Sequence, residues 1–297
     1  MKRIALYTTI YPGAARFFAD WLSSVLKQDM RSFDVWIGVD GMKIDSQLVV
    51  GDAPVQIVTA TSDDTPVSLR SRAMTMMASI YDGIVFTDSD DILEPTRCSA
   101  ALHGLESADV HGCALGLIDE VGCDLGLYFG LREGEDPDTI IPRNNFLGLS
   151  NTAWRTDTLR KCLPAPSDCI ALDWLLATRA WGHGARITFD KTIRMRYRQY
   201  SENVARVMPP FTNTQVLKAT EIVSEHYKTA VTDALGFPDQ RRHVLQEAAD
   251  QVERFRVAMT RSQSGLDTYT KALNQLPPHR LWWLSVAHPE LEDIWSS

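Results

Sequence analysis

The chain has 297 residues, of which 44% are hydrophobic and 23% charged, values typical of a globular protein with a substantial core. Its formal net charge of −8 argues against a dedicated nucleic-acid binder, which usually carries a basic excess. The five cysteines include no C-x-x-C pair, so we expect free thiols rather than a disulfide framework. The N-terminal apolar run is too short and broken for a signal peptide, and no run has transmembrane length. We therefore expect a cytoplasmic protein.

Strand-like and helix-like segments alternate along the first part of the chain. Short segments rich in β-branched and apolar residues predict strands: RIALYTTI, FDVWIGVDG, VQIVTAT and GIVFTDSDD. AARFFADWLSSVLKQ, with apolar residues at helical spacing, and SLRSRAMTMMASIYD predict the intervening helices. This alternation predicts an α/β fold with a mixed, mostly parallel sheet flanked by helices. In such sheets ligands bind beyond the carboxyl ends of the strands.

The second part of the chain changes character at two prolines. Residues 107–150, rich in glycine and acids, predict irregular strands and loops; CIALDWLLATRAWG then predicts a helix, and ARITFDKTIRMRYRQY one or two strands. After Pro209 and Pro210, two long apolar stripes at helical spacing predict helices. We therefore predict a sheet domain over residues 1–208 and a helical C-terminal extension over residues 209–297.

An acidic cluster follows the fourth predicted strand. The stretch IVFTDSDDILEP places Asp88, Asp90 and Asp91 within four positions. Like charges this close repel one another unless a cation is shared between them. In extended chain Asp88 and Asp90 point the same way, which suits Mg²⁺ or Mn²⁺ with water and phosphate completing its shell. The alternative is a polar strand-end turn with acids near a helix N-terminus.

Several common catalytic motifs do not occur. The sequence has no G-x-G-x-x-G, G-x-x-x-x-G-K-[ST], H-E-x-x-H or G-x-S-x-G. This weakens the dinucleotide oxidoreductase, P-loop, zinc-peptidase and esterase hypotheses.

The order of motifs resembles the family 2 glycosyltransferases of GT-A fold. The similarity covers roughly residues 1–206 and rests on VDG, LRSRA, FTDSDD, NFLGLSNTAWRTDTLRK, ALDWLLATRAWGHG and YRQYSENV in the family's order. It implies a Rossmann-like GT-A catalytic domain within residues 1–208. It also implies inverting, metal-assisted sugar transfer from a nucleotide-diphosphate donor, with a UDP-sugar favoured and Mn²⁺ or Mg²⁺ as cofactor. The acceptor would be a hydroxyl of a glycan, a lipid-linked compound or a protein, as in polysaccharide biosynthesis.

The resemblance assigns the metal site and the catalytic base. Asp88 and Asp90 correspond to the D-x-D motif that holds the metal and the donor diphosphate, with Ser89 also on the donor side. Asp173 in ALDW resembles the catalytic base at the start of an acceptor-side helix, and its alternative role is a helix cap. Leu172 replaces the acid that often precedes this base.

The resemblance also assigns donor-binding residues. Thr8 and Tyr11 resemble the loop that lines the base and ribose, and Asp40 in VDG resembles the acid that bonds the base. A carboxylate there accepts an imide N–H, as in uracil. Arg72 in LRSRA resembles an arginine that bonds ribose or phosphate; the alternative is an exposed helix charge. Arg198, on a basic strand face, either neutralises the leaving diphosphate or belongs to a solvated edge.

One position departs from the family pattern at the predicted metal site. The family often has a histidine where YRQYSENV has Tyr200, and that histidine can complete the donor or metal site. A phenol, which titrates near about 10, is a poorer metal ligand at neutral pH. The resemblance therefore assigns neither a third metal ligand nor strong metal dependence to this chain.

Three alternatives to the transferase remain open. A sugar nucleotidyltransferase would carry a Gly-rich basic loop after the first strand, where TTIYPGAAR has a single glycine and a single arginine. A non-catalytic nucleotide-sugar binding module would have nearly the same sequence, and donor turnover separates it from an enzyme. Failure to bind any nucleotide would favour a structural or partner-binding protein.

The role of the helical extension is open as well. Its apolar stripes fit packing on the catalytic domain or formation of a homo-oligomer. Trp282, Trp283 and Trp295 lie near Arg280 in HRLWWLSVAHPELEDIW. Such aromatic residues fill a core or a dimer seam, or make peripheral contact with a membrane surface.

Overall fold

A computed structural model describes residues 3–45, 49–51 and 53–296. Ten strands within these residues form one sheet. In chain order they are β1 (Ile4–Ile10), β2 (Asp34–Val39), β3 (Val49–Val50), β4 (Ala53–Thr59), β5 (Gly83–Phe86), β6 (Ile92–Leu93), β7 (Val110–Ile118), β8 (Asp124–Phe129), β9 (Thr152–Arg155) and β10 (Ile187–Arg198).

Helices connect the strands and form the C-terminal part. They are α1 (Phe18–Leu26), α2 (Pro66–Ala78), α3 (Arg97–Ser107), α4 (Pro137–Ile140), α5 (Thr156–Cys162), α6 (Leu172–Gly182), α7 (Asn213–Asp233), α8 (Asp239–Arg261), α9 (Gln263–Leu273) and α10 (Glu292–Trp295). Local sequence fixes two of the helix starts. Thr65 and Ser68 form a reciprocal capping box before α2, and Thr212 and Gln215 form one before α7.

The sheet is mixed, and its long ladders are parallel. Its order is β3-β4-β2-β1-β5-β9-β7-β10-β6, and β8 pairs with β7. The strands β4, β2, β1 and β5 run parallel because α1 and α2 return the chain to the same edge. β9 is antiparallel to both of its neighbours, and β10 is parallel to β7. The expected mixed α/β sheet flanked by helices is confirmed.

The region predicted as irregular contains a central strand. β7 is buried along all nine of its residues and lies between β9 and β10. Its glycines suggest a loop in the sequence, but here they make room for neighbouring side chains. A Cβ on Gly112 would lie 2.4 Å from the side chain of Leu147, and one on Gly116 would lie 2.9 Å from Arg196.

The C-terminal helices share a core with the sheet. α7 and α8 pack on each other, and α7 packs on α6, where His226 stacks on Trp174 at 3.8 Å between ring centroids. One apolar cluster joins residues of β1, β7 and α6 with residues of α7, α8 and α9. The boundary at residue 209 stays a prediction, although apolar packing continues across it. None of the helices in the described residues combines the length and apolar character that a bilayer crossing requires.

After α9 the chain returns to the sheet. The Trp282 amide donates to the Asn145 carbonyl at 3.0 Å, and the Gly130 amide donates to the Arg280 carbonyl at 2.8 Å. The Arg280 guanidinium also holds both oxygens of Glu135 at 2.7 and 2.5 Å. These contacts place the tryptophan-rich segment beside the carboxyl ends of the strands.

Candidate active site

A cavity of about 200 Å³ opens where β1 and β5 end and α6 begins. Its wall includes Tyr11, Arg70, Asp88, Asp90 and Asp173. These side chains come from distant parts of the sequence but meet here because the parallel strands end at one edge. The structure thus brings the predicted metal ligands and the predicted base together.

Asp91 is buried behind this cavity and is held by the protein itself. Its carboxylate accepts hydrogen bonds from the Ser150 hydroxyl and, at 2.9 Å, from the Arg198 amide. Burial is the larger cause, and repulsion from Asp90 and Asp88 the smaller cause, that together raise the pKa of Asp91 well above its ordinary value. Asp91 therefore ties the end of β5 to the end of β10.

Asp90 faces the cavity and is bonded by Tyr200. The Tyr200 hydroxyl donates to Asp90 Oδ2 at 2.5 Å, and the Tyr11 hydroxyl lies 3.3 Å from the Tyr200 hydroxyl. Burial and the charge of Asp90 raise the pKa of Tyr200, so the phenol keeps its proton and acts as a donor. At the position where the family often has histidine, this chain holds Asp90 through a neutral hydroxyl.

Asp88 has no hydrogen bond to its carboxylate within the described part of the chain. Burial, and then repulsion from Asp90, raise the pKa of Asp88 to about 7, against the opposing effect of Arg70. A cation between Asp88 and Asp90 would remove this repulsion. The described residues hold no cluster of three or more His, Cys, Asp or Glu side chains suited to a metal. The pair thus fits a hard cation such as Mg²⁺ or Mn²⁺ only if water and phosphate oxygens complete its shell.

Asp173 lies in the first turn of α6. Its Oδ2 accepts a hydrogen bond from the Asn145 side chain at 3.1 Å, and its Oδ1 accepts one from the Trp174 amide at 2.8 Å. Ala171, not Asp173, occupies the N-cap position of the helix. Burial raises the pKa of Asp173 to about 6, even though both hydrogen bonds lower it. Such a carboxylate is ionised at neutral pH and accepts a proton more readily than an exposed aspartate does.

The other predicted donor residues divide into two groups. Tyr11 and Ser89 line the cavity, and the Ser89 hydroxyl donates to the Thr9 carbonyl at 2.8 Å. Thr8 is fully buried in β1, and its hydroxyl has no partner among the described residues. Asp40 is half-buried where β2 ends, with its amide bonded to the Ile10 carbonyl at 2.9 Å. Neither Thr8 nor Asp40 lines the cavity.

Arg72 lies outside the cavity. Its guanidinium pairs with Asp64 at 2.5 Å and donates to the Thr59 carbonyl at 3.0 Å. Hydrogen bonds from the Thr61 amide and from the Ser68 and Arg72 side chains hold the pKa of Asp64 well below its usual range.

Arg198 is 1% exposed, and its guanidinium is occupied inside the protein. It donates to the carbonyls of Asp90 and Glu120 at 2.8 Å each and pairs with Asp20 at 3.0 Å. It also lies over the Phe17 ring at 4.5 Å. Arg198 therefore supports the backbone of the acidic cluster from behind instead of lining the cavity.

Arg70 is a cavity residue that the sequence analysis missed. It lines the same wall as Asp88, and its charge lowers the pKa of both Asp88 and Asp173. LRSRA contains both Arg70 and Arg72, and residues two apart on a helix face different directions. Once α2 is placed on the sheet, Arg70 points to the cavity and Arg72 to Asp64.

The wall opposite the acids comes from the C-terminal segment. Trp282 and Trp283 line the cavity together with Gly148. Trp283 has a φ of 67°, in the left-handed region, which costs a bulky residue about 1–2 kcal/mol. This conformation persists because the adjacent Trp282 amide is bonded to Asn145, and the Trp283 carbonyl accepts from the Val286 amide at 2.9 Å.

The chain has a GT-A glycosyltransferase fold, as the sequence resemblance implied, because solved glycosyltransferase structures are similar to it over most of its length. TarS 1–349 of S. aureus, solved in complex with UDP-GlcNAc, is similar with a TM-score of 0.59 and 15% identity over 86% of this chain and 72% of that chain. A longer TarS structure is similar with a TM-score of 0.58 and 16% identity, over 86% of this chain and 43% of that chain. The mannosyltransferase PcManGT from Pyrobaculum calidifontis, in complex with GDP-Man and Mn²⁺, is similar with a TM-score of 0.60 and 14% identity. The similarity covers 98% of this chain and 79% of that chain. No protein-family model and no curated protein sequence matches the chain. At these identities the likeness establishes the fold alone.

Proposed function

We propose that the protein is a glycosyltransferase that moves a sugar from a nucleotide-diphosphate donor to an acceptor hydroxyl with inversion. The observation that carries this proposal is the meeting of Asp88, Asp90, Arg70 and Asp173 in one cavity. Two of these acids suit a cation bound to phosphate, the arginine suits the phosphate itself, and the third acid suits proton transfer.

The donor end of the cavity would bind the diphosphate. Asp88 and Asp90 would hold Mn²⁺ or Mg²⁺, which when bound stabilises negative charge on the leaving diphosphate. Arg70, whose charge lowers the pKa of both Asp88 and Asp173, would contact a phosphate and reduce the repulsion among the acids. Tyr11 lines this end and would lie against the nucleotide. We retain Asp40 and Thr8 as base and ribose contacts by resemblance only.

Asp173 would act as the general base. Its carboxylate, oriented by Asn145, would take the proton of the acceptor hydroxyl while the acceptor oxygen bonds to the anomeric carbon. The bond from that carbon to the diphosphate breaks with its electron pair leaving on the phosphate oxygen. Attack on the face opposite the leaving group inverts the anomeric centre.

The first experiment is a calorimetric titration of UDP into the full chain with and without Mn²⁺, followed by GDP. We expect metal-dependent binding that Asp90→Ala weakens by about tenfold or more. UDP is the first probe because Asp40 suits an imide N–H, and GDP is next because the mannosyltransferase neighbour was solved with GDP-Man. Release of UDP from a UDP-sugar would then separate an enzyme from a non-catalytic binding module. Lack of binding by UDP, GDP, dTDP and CMP would defeat the proposal.

A further inference from the structure

A second cleft, of about 480 Å³, adjoins the candidate active site. It lies between residues 199–208, the first turns of α7 and the C-terminal segment. Tyr200, Asn203, Val204 and Trp283 line both the cleft and the smaller cavity that holds Asp173. The two spaces therefore meet along a shared wall.

The charges lining the two spaces are different. The smaller cavity is lined by four acids, Asp88, Asp90, Asp173 and Glu202, and by Arg70. The cleft is lined by Arg206 and Lys218, and its described lining contains no aspartate or glutamate. Neither of these two cations forms an ion pair within the described part of the chain. On a chain with net charge −8, such a space favours an anion over a cation.

The cleft also has an apolar floor that the fold holds in place. Phe211 and Ile222 lie there, and the Phe211 ring stacks on His279 at 4.7 Å between centroids. The Phe211 amide donates to the Asn274 side chain at 2.6 Å, and Arg206 Nε donates to the Met208 carbonyl at 2.9 Å. The space thus suits a molecule with an anionic group and a less polar body.

Trp283 connects the cleft to the cavity and carries the backbone strain described above. The residue is 8% exposed. Strained residues that a fold holds in place concentrate at ligand-binding sites. The shared wall therefore includes one strained residue, while the second positive-φ residue of this segment, Ala287, lines neither space.

We propose that the cleft is the acceptor site and that it binds an acceptor carrying a phosphate group close to the reacting hydroxyl. This inference rests on the proposed function. Arg206 and Lys218 would bind the phosphate through charge-assisted hydrogen bonds, and the floor and Trp283 would contact the rest of the acceptor. The hydroxyl would reach Asp173 across the shared wall.

The test is a calorimetric titration of inorganic phosphate, glucose 6-phosphate and glucose into the full chain saturated with UDP and Mg²⁺, at constant ionic strength. UDP occupies the donor cavity, so the probes report on the cleft. We expect both phosphates to bind at least about tenfold more tightly than glucose. The double variant Arg206→Gln/Lys218→Gln should lose this binding by about tenfold and keep its affinity for UDP.

The matched control is Arg254→Gln/Lys271→Gln, which removes the same charge from exposed positions of α8 and α9. It should bind phosphate as the unaltered chain does. The inference would be overturned if phosphate did not bind, or if it bound equally well to the Arg206/Lys218 variant. Neither result would contradict the proposed binding of the donor. If UDP itself does not bind, the proposed function fails; a phosphate site lost only in the Arg206/Lys218 variant would then remain as an anion site without an acceptor role.

Discussion

The two walls of the candidate active site differ in how the chain builds them. The donor wall consists of Tyr11, Arg70, Asp88 and Asp90, which lie close after strands β1 and β5 or on the helix between them. The closing wall consists of Gly148, Trp282 and Trp283, from a loop and from the end of the chain. The donor wall supplies charge, and the closing wall supplies shape.

Asp173 lies between the two walls and depends on both. Charges of the donor wall affect its pKa, since Arg70 lowers it. Its side-chain partner Asn145 is bonded through its backbone to Trp282 of the closing wall. A base positioned in this way should respond to changes in either wall, but by different physical routes. The following predictions separate those routes.

The largest effect is expected at the base itself. Asp173→Asn keeps the shape of the side chain but removes the proton acceptor, so transfer should fall about 10²–10⁴-fold. Donor affinity, measured by calorimetry, should change little because the proposed diphosphate contacts lie on the donor wall. Asp168→Asn, in an exposed position of the preceding loop, serves as the control and should keep full activity. Loss of donor binding in Asp173→Asn would contradict the assigned role.

The next effect is on stability, behind the donor wall. Asp91→Ala leaves the buried Ser150 hydroxyl and Arg198 amide without their partner, which should lower the free energy of unfolding by roughly 2–4 kcal/mol. Asp90→Ala should lower the free energy of unfolding much less, because its partner Tyr200 lines the open cavity and is not left without solvent. Denaturant unfolding of the two variants measures the difference. Equal stability would mean that the acidic cluster is not divided into a structural and a ligand-binding part.

The two arginines of α2 offer a matched pair. Arg70→Gln should weaken metal-dependent UDP binding by about 10–100-fold, the equivalent of one or two charge-assisted hydrogen bonds. Arg72→Gln should leave UDP binding within about twofold, because its guanidinium pairs with Asp64 outside the cavity. If Arg72→Gln weakens UDP binding and Arg70→Gln does not, then Arg72 is the residue that contacts the donor, as the sequence resemblance implies.

Gly148→Ala tests the closing wall without changing any charge. A Cβ at Gly148 would lie 2.7 Å from the Trp282 ring, which cannot yield as a flexible side chain does. We expect a loss of about 1–3 kcal/mol in stability and lower transfer with little change in UDP affinity. Gly236→Ala is the control, because no atom lies within 4 Å of its added Cβ. Transfer at the unaltered rate in Gly148→Ala would show that the closing wall does not position the base.

The last prediction is a change of the transfer rate with pH. The Asp173 carboxylate accepts a proton only when ionised, and its pKa is raised to about 6 by burial, with Asp88 and Arg70 as the facing charged groups. The transfer rate should therefore be constant above this pKa and fall about tenfold for each pH unit below it. UDP affinity measured at each pH separates this effect from titration of the donor wall. A rate that stays constant down to pH 4 would exclude Asp173 as the base.

The sequence by itself determined the fold class and most of the donor wall. The strand and helix patterns are local signals, because period is visible over a few residues. The three carboxylates within five positions after β5 are a local signal as well, because charge is visible over the same range. They were enough for the GT-A resemblance, and that resemblance in turn pointed to Asp88, Asp90 and Asp173. The stretch from residue 107 to residue 150 was predicted as irregular strands and loops, and the sequence did not single out β7 as a buried central strand. Without their neighbours, the glycines of β7 are indistinguishable from loop glycines.

Only the tertiary structure decided which side chains of a motif reach the cavity. Arg70 and Arg72 share one motif, and their roles follow from how α2 is rotated against the sheet. Arg198 reads as part of a basic strand face, but folding buries it behind the acidic cluster. The closing wall depends on contacts such as that of Asn145 with Trp282, far apart in the chain. In the sequence, the residues of the closing wall look like those of any core segment, because packing between distant residues leaves no local pattern.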